Sequence, residues 1–271
     1  MDKVHSDKPT VLLIHGMWSD QNTLSDVKEA FVAQGYTADS LCLPYHVPKA
    51  EHTEASRAKL AKTRVQDYVA YIVEQVERLD APPILVGHSM GALLAQLVAA
   101  QVPCDRLVLL SSAPPAGING LSRSAIRTLG RNLLRFPLWK KVTEVGLSNV
   151  EYGIANAQSA AVQRDIYESC TYESGMATFQ ISIGSLLGRR SATYVNTQSI
   201  ECPVLIVGGS ADRITPITIQ RSMAKRFGKQ ASLIEIENCC HWTVGGAYFP
   251  EVRVEIFQWL EAKANSQPHT G

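Results

Sequence analysis

A serine between two glycines is the residue of this 271-residue chain that is best placed for covalent chemistry. Ser89 lies in the pentapeptide Gly87-His88-Ser89-Met90-Gly91, between an apolar run at 83–86 and a helix-forming stretch at 92–100. A tight strand-to-helix turn strains the serine backbone and is tolerated only where the flanking positions lack colliding side chains. Such a turn exposes the hydroxyl at the positive N-terminus of the next helix. We therefore expect Ser89 to act as a nucleophile.

The acid and the base that would activate this serine occur later in the chain. A serine hydroxyl is a weak nucleophile at neutral pH and needs a base within hydrogen-bond reach. Asp212 follows the apolar run 203–207, and His241 follows the run 232–236. His241 would take the proton of Ser89, and Asp212 would hold the second ring nitrogen and fix the tautomer. This order predicts an acyl-serine intermediate that water then releases.

Each assignment has a plainer alternative. Asp212 could cap the helix that begins near Pro216, or pair with its neighbour Arg213. Among the other histidines, His88 is the variable position of the serine turn and is more simply a packed residue. His46 follows the second predicted strand and could approach the site. These alternatives stay open at the level of sequence.

Four features together make the chain resemble the α/β-hydrolase fold enzymes, from about Pro9 to about Ala264. They are the His15-Gly16 turn after the first strand, the Ser89 turn, Asp212 in the sequence Gly-Gly-Ser-Ala-Asp, and His241 ahead of a C-terminal helix. Their occurrence in this order makes a chance match of the serine pentapeptide much less plausible.

The resemblance assigns roles to these residues. It implies a catalytic triad of Ser89, Asp212 and His241. It also implies an oxyanion hole formed by the backbone N–H groups of Met17 and Met90. In such holes the loss of one donor typically costs roughly 10² to 10³ in rate.

Strands that alternate with helices predict a doubly wound α/β domain with a mostly parallel six-stranded sheet. We expect the strands at 10–14, 37–43, 83–88, 106–111, 203–208 and 231–236, and helices at 21–34, 56–79, 90–101, 216–227 and 247–264. Only nine residues precede the first strand, which leaves no room for the opening antiparallel hairpin of many family members. The resemblance implies the strand order 2-1-3-4-5-6, with right-handed connections.

A long insertion separates the fourth and fifth predicted strands. It covers residues 114–201, has helical periodicity and is too long for a plain loop. The resemblance implies that it forms a helical cap over the active site. We expect a core of residues 1–113 and 202–271 and a cap of residues 114–201, which would set the substrate range.

The first predicted cap helix, 121–136, carries a stripe of arginines opposite an apolar face. The arginines recur every four residues, at Arg123, Arg127, Arg131 and Arg135. The apolar face consists of Ile126, Leu129 and Leu133. Like charges at this spacing repel each other unless a nearby anionic group compensates them. The stripe is either a solvated face with acidic partners elsewhere, or a weak contact site for anionic lipid headgroups or the phosphates of CoA.

Bulky apolar residues are candidates for the substrate pocket. Trp18 and Trp242 flank the expected oxyanion turn and the histidine, while the cap offers a further set: Met176, Phe179, Ile181, Ile183, Leu186 and Leu187. Pockets are mostly lined by such side chains. The alternative is that the cap residues fill the small core of the cap itself.

Composition narrows the function classes. A formal net charge of +1 argues against bulk nucleic-acid binding. The chain has neither a dinucleotide fingerprint nor a P-loop, and the vicinal Cys239-Cys240-His241 cannot form a tetrahedral zinc cage by itself. We expect no cofactor and no metal.

The N-terminal nine residues are charged and polar, so they do not read as a secretory signal, and no apolar run is long enough to span a membrane. Six cysteines in such a chain are expected to be reduced thiols, with Cys42 and Cys202 at strand ends in the core. A cytoplasmic location is the expectation, and the oligomeric state is left open.

The fold alone does not settle the reaction. A serine nucleophile argues against haloalkane dehalogenases and epoxide hydrolases, which in the resembling families use aspartate at this turn. We expect hydrolysis of short to medium acyl esters or monoacylglycerol-like esters. The alternatives are an acyl-CoA thioesterase or acyltransferase, and a non-catalytic ligand- or partner-binding protein with the same fold.

Overall fold

The computed structural model describes residues 8–130, 132 and 136–264, and its centre is a six-stranded parallel sheet. In chain order the strands are β1 (Val11–Ile14), β2 (Ala38–Ser40), β3 (Ile84–His88), β4 (Arg106–Leu110), β5 (Val142–Thr143), β6 (Glu173–Ser174), β7 (Val204–Gly209) and β8 (Ala231–Ile236). The main sheet has the order β2-β1-β3-β4-β7-β8, and all its neighbouring pairs are parallel. The predicted six strands and their spatial order are therefore confirmed.

Helices cover both faces of this sheet. In chain order they are α1 (Ser25–Ala33), α2 (Glu54–Lys62), α3 (Val65–Glu77), α4 (Met90–Ala99), α5 (Arg123–Leu129), α6 (Leu147–Asn149), α7 (Ala160–Ser169), α8 (Gly175–Ser182), α9 (Ile217–Phe227) and α10 (Phe249–Ala264). The single helix predicted at 56–79 is wrong. Thr63 and Arg64 adopt extended backbone, and the Arg64 N–H donates to Asp67 Oδ2 at 2.7 Å, which starts α3 as a separate helix.

The core consists of two apolar layers, one on each face of the sheet. Along β1, Leu12 and Ile14 pack into one layer, and Val11 and Leu13 pack into the other. This alternation follows from the two-residue period of a strand. Helices α3, α4 and α9 cover the first layer, while α1 and α10 cover the second. The carboxyl ends of the parallel strands are thereby held at one rigid edge, where sites of such sheets form.

The insertion between β4 and β7 contains α5 to α8 and a short antiparallel pair, β5 with β6. The helix expected over 121–136 is shorter than predicted, because α5 ends at Leu129 and Gly130 turns the chain with a φ of +53°. Ile126 is largely exposed rather than packed. Of the other residues of that expected helix, Arg131, Leu133 and Arg135 lie outside the described residues.

Over residues 8–130, 132 and 136–264, no helix has both the length and the apolar character that a membrane crossing requires.

Candidate active site

The turn around Ser89 connects β3 to α4 with the backbone strain that its sequence predicts. Ser89 has a φ of 53° and a ψ of −116°, which places a non-glycine residue in an unfavourable region. A Cβ added at Gly91 would collide with the carbonyl oxygen of Ile14, and one added at Gly87 would collide with the backbone of α4. Both glycines are therefore required by close backbone approach, and the turn holds the serine at the start of α4.

Three side chains from three different strand ends converge at this turn. Ser89 Oγ lies 2.9 Å from His241 Nε2, and His241 Nδ1 lies 2.8 Å from Asp212 Oδ2. Asp212 follows β7 and His241 follows β8, so the parallel sheet brings residues 152 positions apart into contact. His241 is 3% exposed and Asp212 is 5% exposed. The geometry suits transfer of the serine proton to a histidine that a carboxylate orients.

Asp212 is held as a carboxylate by its neighbours. Burial opposes its ionisation, but His241 and the backbone N–H groups of Thr215 and Ile214 together hold its pKa below the ordinary value. Those N–H groups donate to Oδ1 at 2.9 and 2.8 Å, and the Thr215 hydroxyl donates to Oδ2 at 2.8 Å. The charge needed to stabilise a protonated His241 is thus present in the resting protein.

The structure shows neither of the alternative roles for Asp212, the capping of a helix near Pro216 or an ion pair with Arg213. Helix α9 begins at Ile217 after Pro216 and has no side-chain cap, so Asp212 caps only the turn before it. Arg213 donates to the carbonyl oxygen of Tyr152 at 3.1 Å instead of pairing with its neighbour. Thr215 was not singled out from sequence, although the pattern Asp-x-x-Thr is typical of such a turn.

The backbone N–H groups of Met17 and Met90 are available to donate hydrogen bonds to an oxyanion. Neither donates a hydrogen bond within the described part of the chain, and Met90 is the first residue of α4. The turn that carries Met17 is anchored to the insertion, because the Thr171 N–H donates to the Trp18 carbonyl at 2.8 Å. Trp18 Nε1 also donates to Thr143 Oγ1 at 3.1 Å. This arrangement anchors the residue next to one candidate oxyanion donor to the insertion.

Two further histidines are buried next to the site and are kept neutral. Burial, with a smaller contribution from His46, lowers the pKa of His15 to about 3. Burial, with a smaller contribution from His241, lowers the pKa of His88 to about 3. His88 Nε2 donates to the carbonyl oxygen of His241 at 3.0 Å, so His88 holds the backbone of the candidate base.

Acid should therefore destabilise the fold through these two histidines. Their pKa values near 3 lie below the unfolded value of 6.5, so the unfolded chain binds more protons between these limits. The stability is complete above pH 6.5 and is lost as the pH falls towards 3. At pH 5 we expect a loss of about 2 kcal/mol for each histidine.

Urea denaturation at pH 7.5 and pH 5.0 measures this loss. His88→Gln keeps a donor towards the His241 carbonyl but cannot titrate, so the variant should lose about 2 kcal/mol less than the wild type between the two pH values. An equal loss in both proteins would contradict the assignment to His88.

His46 has a structural partner and not a catalytic one. Its Nε2 donates to Glu173 Oε2 at 3.0 Å, and Tyr68 donates its hydroxyl proton to Glu173 Oε1 at 2.9 Å. All three side chains are buried. Glu173 belongs to β6 of the insertion, so this cluster joins the insertion to the core beside the oxyanion turn, where the rings of His46 and His15 are 4.9 Å apart. No motif in the sequence marks Glu173 as a functional residue.

Two cavities meet at Ser89. The first, here called the cap-side cavity, has a volume of about 60 Å³ and is bordered by Ser89 and by residues of the insertion: Leu121, Ala125, Thr178, Ile181 and Ser182. The second, here called the histidine-side cavity, has a volume of about 50 Å³ and is bordered by Ser89, Trp18, His241 and Trp242. Met17 and Leu129 border both. An ester bound at Ser89 would therefore have two cavities available for its acyl and alcohol parts.

The expected pocket residues are only partly at these cavities. Trp18 and Trp242 line the histidine-side cavity. Met176 and Phe179 are not among the described residues that line either one, and the Phe179 ring packs against Trp139 at 5.4 Å. Of α8, the expected Ile181 borders the cap-side cavity, together with Thr178 and Ser182. Ile183, Leu186 and Leu187 are exposed.

Two of the four arginines of the stripe, Arg123 and Arg127, lie in α5. Arg127 lies 3.8 Å from the ring centroid of Tyr152, and Arg123 is exposed at the start of α5.

In the described ranges, no cluster of three or more His, Cys, Asp or Glu side chains has an arrangement that could hold a metal ion.

Comparison with known proteins gives a family match over most of the chain. A family model described as the alpha/beta hydrolase family matches residues 11–246. The monoglyceride lipase of Mus musculus is 25% identical over 169 residues, which are 60% of this chain and 54% of that protein. The match thus spans about half the length of this relative.

Solved structures share the fold over nearly the whole chain. The monoacylglycerol lipase of Paleococcus ferrophilus has a TM-score of 0.66 at 20% identity and covers 92% of this chain and 93% of its own. A methylesterase from Arabidopsis has a TM-score of 0.68 at 12% identity, with 94% and 99% covered. A putative non-heme bromoperoxidase from Mycobacterium tuberculosis H37Rv has a TM-score of 0.68 at 19% identity, with 95% and 94% covered. At these identities the likeness concerns the fold.

Proposed function

We propose, from the premise that this chain belongs to the alpha/beta hydrolase family, that it hydrolyses carboxylic esters through an acyl-serine intermediate on Ser89. The observation that carries the proposal is the hydrogen-bonded series from Ser89 Oγ to His241 to the Asp212 carboxylate, at 2.9 and 2.8 Å. Two further observations support it. The serine borders two cavities, and the neighbouring backbone N–H groups of Met17 and Met90 have no partner among the described residues.

In the first half of the reaction, Ser89 Oγ attacks the ester carbonyl carbon while its proton passes to His241 Nε2. The carbonyl oxygen becomes an oxyanion, which the N–H groups of Met17 and Met90 stabilise. The bond between the acyl carbon and the leaving oxygen then breaks, and His241 gives its proton to that oxygen. The products are a free alcohol and acyl-Ser89.

In the second half, water replaces the alcohol and the same groups act again. His241 Nε2 removes a proton from water as the hydroxide oxygen bonds to the acyl carbon. Collapse of the second tetrahedral intermediate breaks the bond to Ser89 Oγ, which recovers its proton from His241. A carboxylic acid is released and the resting protein is restored. Asp212 keeps its charge throughout and stabilises His241 whenever that ring is protonated.

Relatives with lipase or esterase names agree with an ester substrate. The partly aligned mouse protein is a monoglyceride lipase, and the structural neighbours include a monoacylglycerol lipase and a methylesterase. Ester hydrolysis is the reaction that these names share, so we propose it here ahead of thioester hydrolysis or acyl transfer.

Release of p-nitrophenol from the acetate and butyrate esters tests the proposal, with Ser89→Ala as the matched control. The expected result is saturable turnover by the wild type that the variant lacks. Absence of turnover, or equal turnover by the variant, would overturn the proposal. A kcat/KM that is higher for butyryl-CoA than for aryl butyrate would favour the thioesterase, and transfer of the acyl group to added glycerol in preference to water would favour the acyltransferase.

A further inference from the structure

The position of His241 distinguishes the two cavities at Ser89 chemically. In the proposed reaction His241 must reach the leaving oxygen, because it donates the proton that releases the alcohol. His241 borders the histidine-side cavity and is not among the residues that border the cap-side cavity. The alcohol part of the ester therefore occupies the histidine side, and the acyl chain occupies the cap side.

The cap-side cavity limits the length of the acyl chain. Its volume is about 60 Å³, whereas one water molecule needs roughly 10–15 Å³ of such space. It therefore holds on the order of four to six non-hydrogen atoms. Its walls are mainly apolar, with Leu121, Ala125 and Ile181 on the side of the insertion. An unbranched chain of about four carbons fits this space, and an octanoyl chain exceeds it.

The histidine-side cavity adjoins a much larger space, here called the outer cleft. The outer cleft has a volume of about 520 Å³ and shares Ile166, Cys170 and Trp242 with the histidine-side cavity. That volume is in the range of pockets that bind whole small molecules. Its lining combines apolar side chains with groups that can hydrogen-bond, among them Asn22, Ser25, Lys49, Asp165, Glu168 and Ser169. A large polar alcohol is matched to this side of the site.

From this division we propose that the preferred substrates are esters of a short acyl chain, up to about butyryl, with a large polar alcohol. The inference rests on the proposed ester hydrolysis and specifies its substrate class. Such a substrate differs from a long-chain monoacylglycerol, which combines a long acyl chain with a small alcohol. The small apolar space borders Ser89 without His241, whereas the large space adjoins the cavity that His241 borders.

A series of p-nitrophenyl esters tests the acyl side in the wild-type protein. From acetate to butyrate, kcat/KM should rise by up to about fourfold per methylene as apolar surface is buried. From butyrate to octanoate it should fall by at least about tenfold, because the longer chain overfills the cavity. A continued rise to octanoate would overturn the inference and leave the proposed function standing. Absence of any turnover that depends on Ser89 would instead overturn the proposed function.

Variants at the wall of the cap-side cavity give a second, independent test of the acyl-chain limit. Leu121→Ala should move the optimum to a longer chain, and Ala125→Leu should move it towards acetate, because these residues border the cap-side cavity. Leu187→Ala is the matched control, since Leu187 is 65% exposed and borders neither cavity. An unchanged optimum in both folded wall variants would contradict the assignment, and if neither variant folds the wild-type series decides.

Butyrate esters of different alcohols test the other side. Glucose monobutyrate should exceed ethyl butyrate in kcat/KM by at least about tenfold, which corresponds to one or two added hydrogen bonds in the outer cleft. Glycerol monobutyrate should lie between them. Equal values for the glucose and ethyl esters, or a preference for the ethyl ester, would contradict a polar alcohol site.

Discussion

Asp212→Asn is expected to lower kcat by about 10⁴-fold while the protein stays folded. The carboxylate Oδ2 accepts a hydrogen bond from the protonated Nδ1 of His241, which leaves the lone pair of Nε2 facing Ser89 Oγ. An asparagine amide can present an N–H group to Nδ1 and so favour the tautomer whose Nε2 already carries a proton. That tautomer cannot accept the proton of Ser89. Steady-state turnover of p-nitrophenyl butyrate measures the change.

Thr215→Val is the matched control for this variant. It removes the hydroxyl that donates to Asp212 Oδ2 at 2.8 Å and leaves the carboxylate in place. One lost hydrogen bond to a charged group corresponds to roughly 10- to 100-fold in rate, well short of the asparagine variant. A folded Asp212→Asn protein with kcat within tenfold of the wild type would contradict the role that we assign to Asp212.

Glu173→Leu is expected to lower the free energy of unfolding by about 3–5 kcal/mol. The Glu173 side chain is 0% exposed and accepts hydrogen bonds from Tyr68, from the Ser174 N–H group and from His46. Without the carboxylate, these buried donors lose their partner and cannot reach water. Urea denaturation compares the variant with the wild type at pH 7.5.

Two further variants separate the buried cluster from a general effect of losing an acid. Glu168→Leu removes an exposed carboxylate of α7 and should change stability by no more than about 0.5 kcal/mol. Adding His46→Leu and Tyr68→Phe to Glu173→Leu removes the two unpaired side-chain donors and leaves only the Ser174 N–H without its partner, so it should restore part of the loss. A Glu173→Leu variant within 1 kcal/mol of the wild type would be inconsistent with a cluster that fastens the insertion to the core.

The sheet could be predicted from sequence because its signals are local. Every strand of the sheet except β2 (Ala38–Ser40) contains a short apolar run, and a parallel sheet places the carboxyl ends of its strands at one edge. Ser89, Asp212 and His241 each follow one of these runs, so their convergence could be anticipated before any distance was known. The break between α2 and α3 was missed because neither Thr63 nor Arg64 is a strong helix breaker.

The insertion could not be predicted at the same level, because its contacts join distant segments. Glu173 hydrogen-bonds to His46, which is 127 positions away in the sequence, and no local pattern indicates that pairing. Phe179 and Thr178 are adjacent, yet Phe179 packs on Trp139 while Thr178 borders the cap-side cavity. On a helix the choice between such neighbours depends on which face the rest of the fold covers. The expected limits of the cap, 114–201, remain a prediction.

The central claim is that the Ser89 hydroxyl is an activated nucleophile, and labelling by a fluorophosphonate measures this directly. The wild-type protein should gain one phosphonyl group within minutes, and peptide mass spectrometry should place it on Ser89. Ser89→Ala should gain none, because fluorophosphonates react with serines that an adjacent base activates. Absence of labelling in the folded wild type, or equal labelling of Ser89→Ala, would contradict the claim.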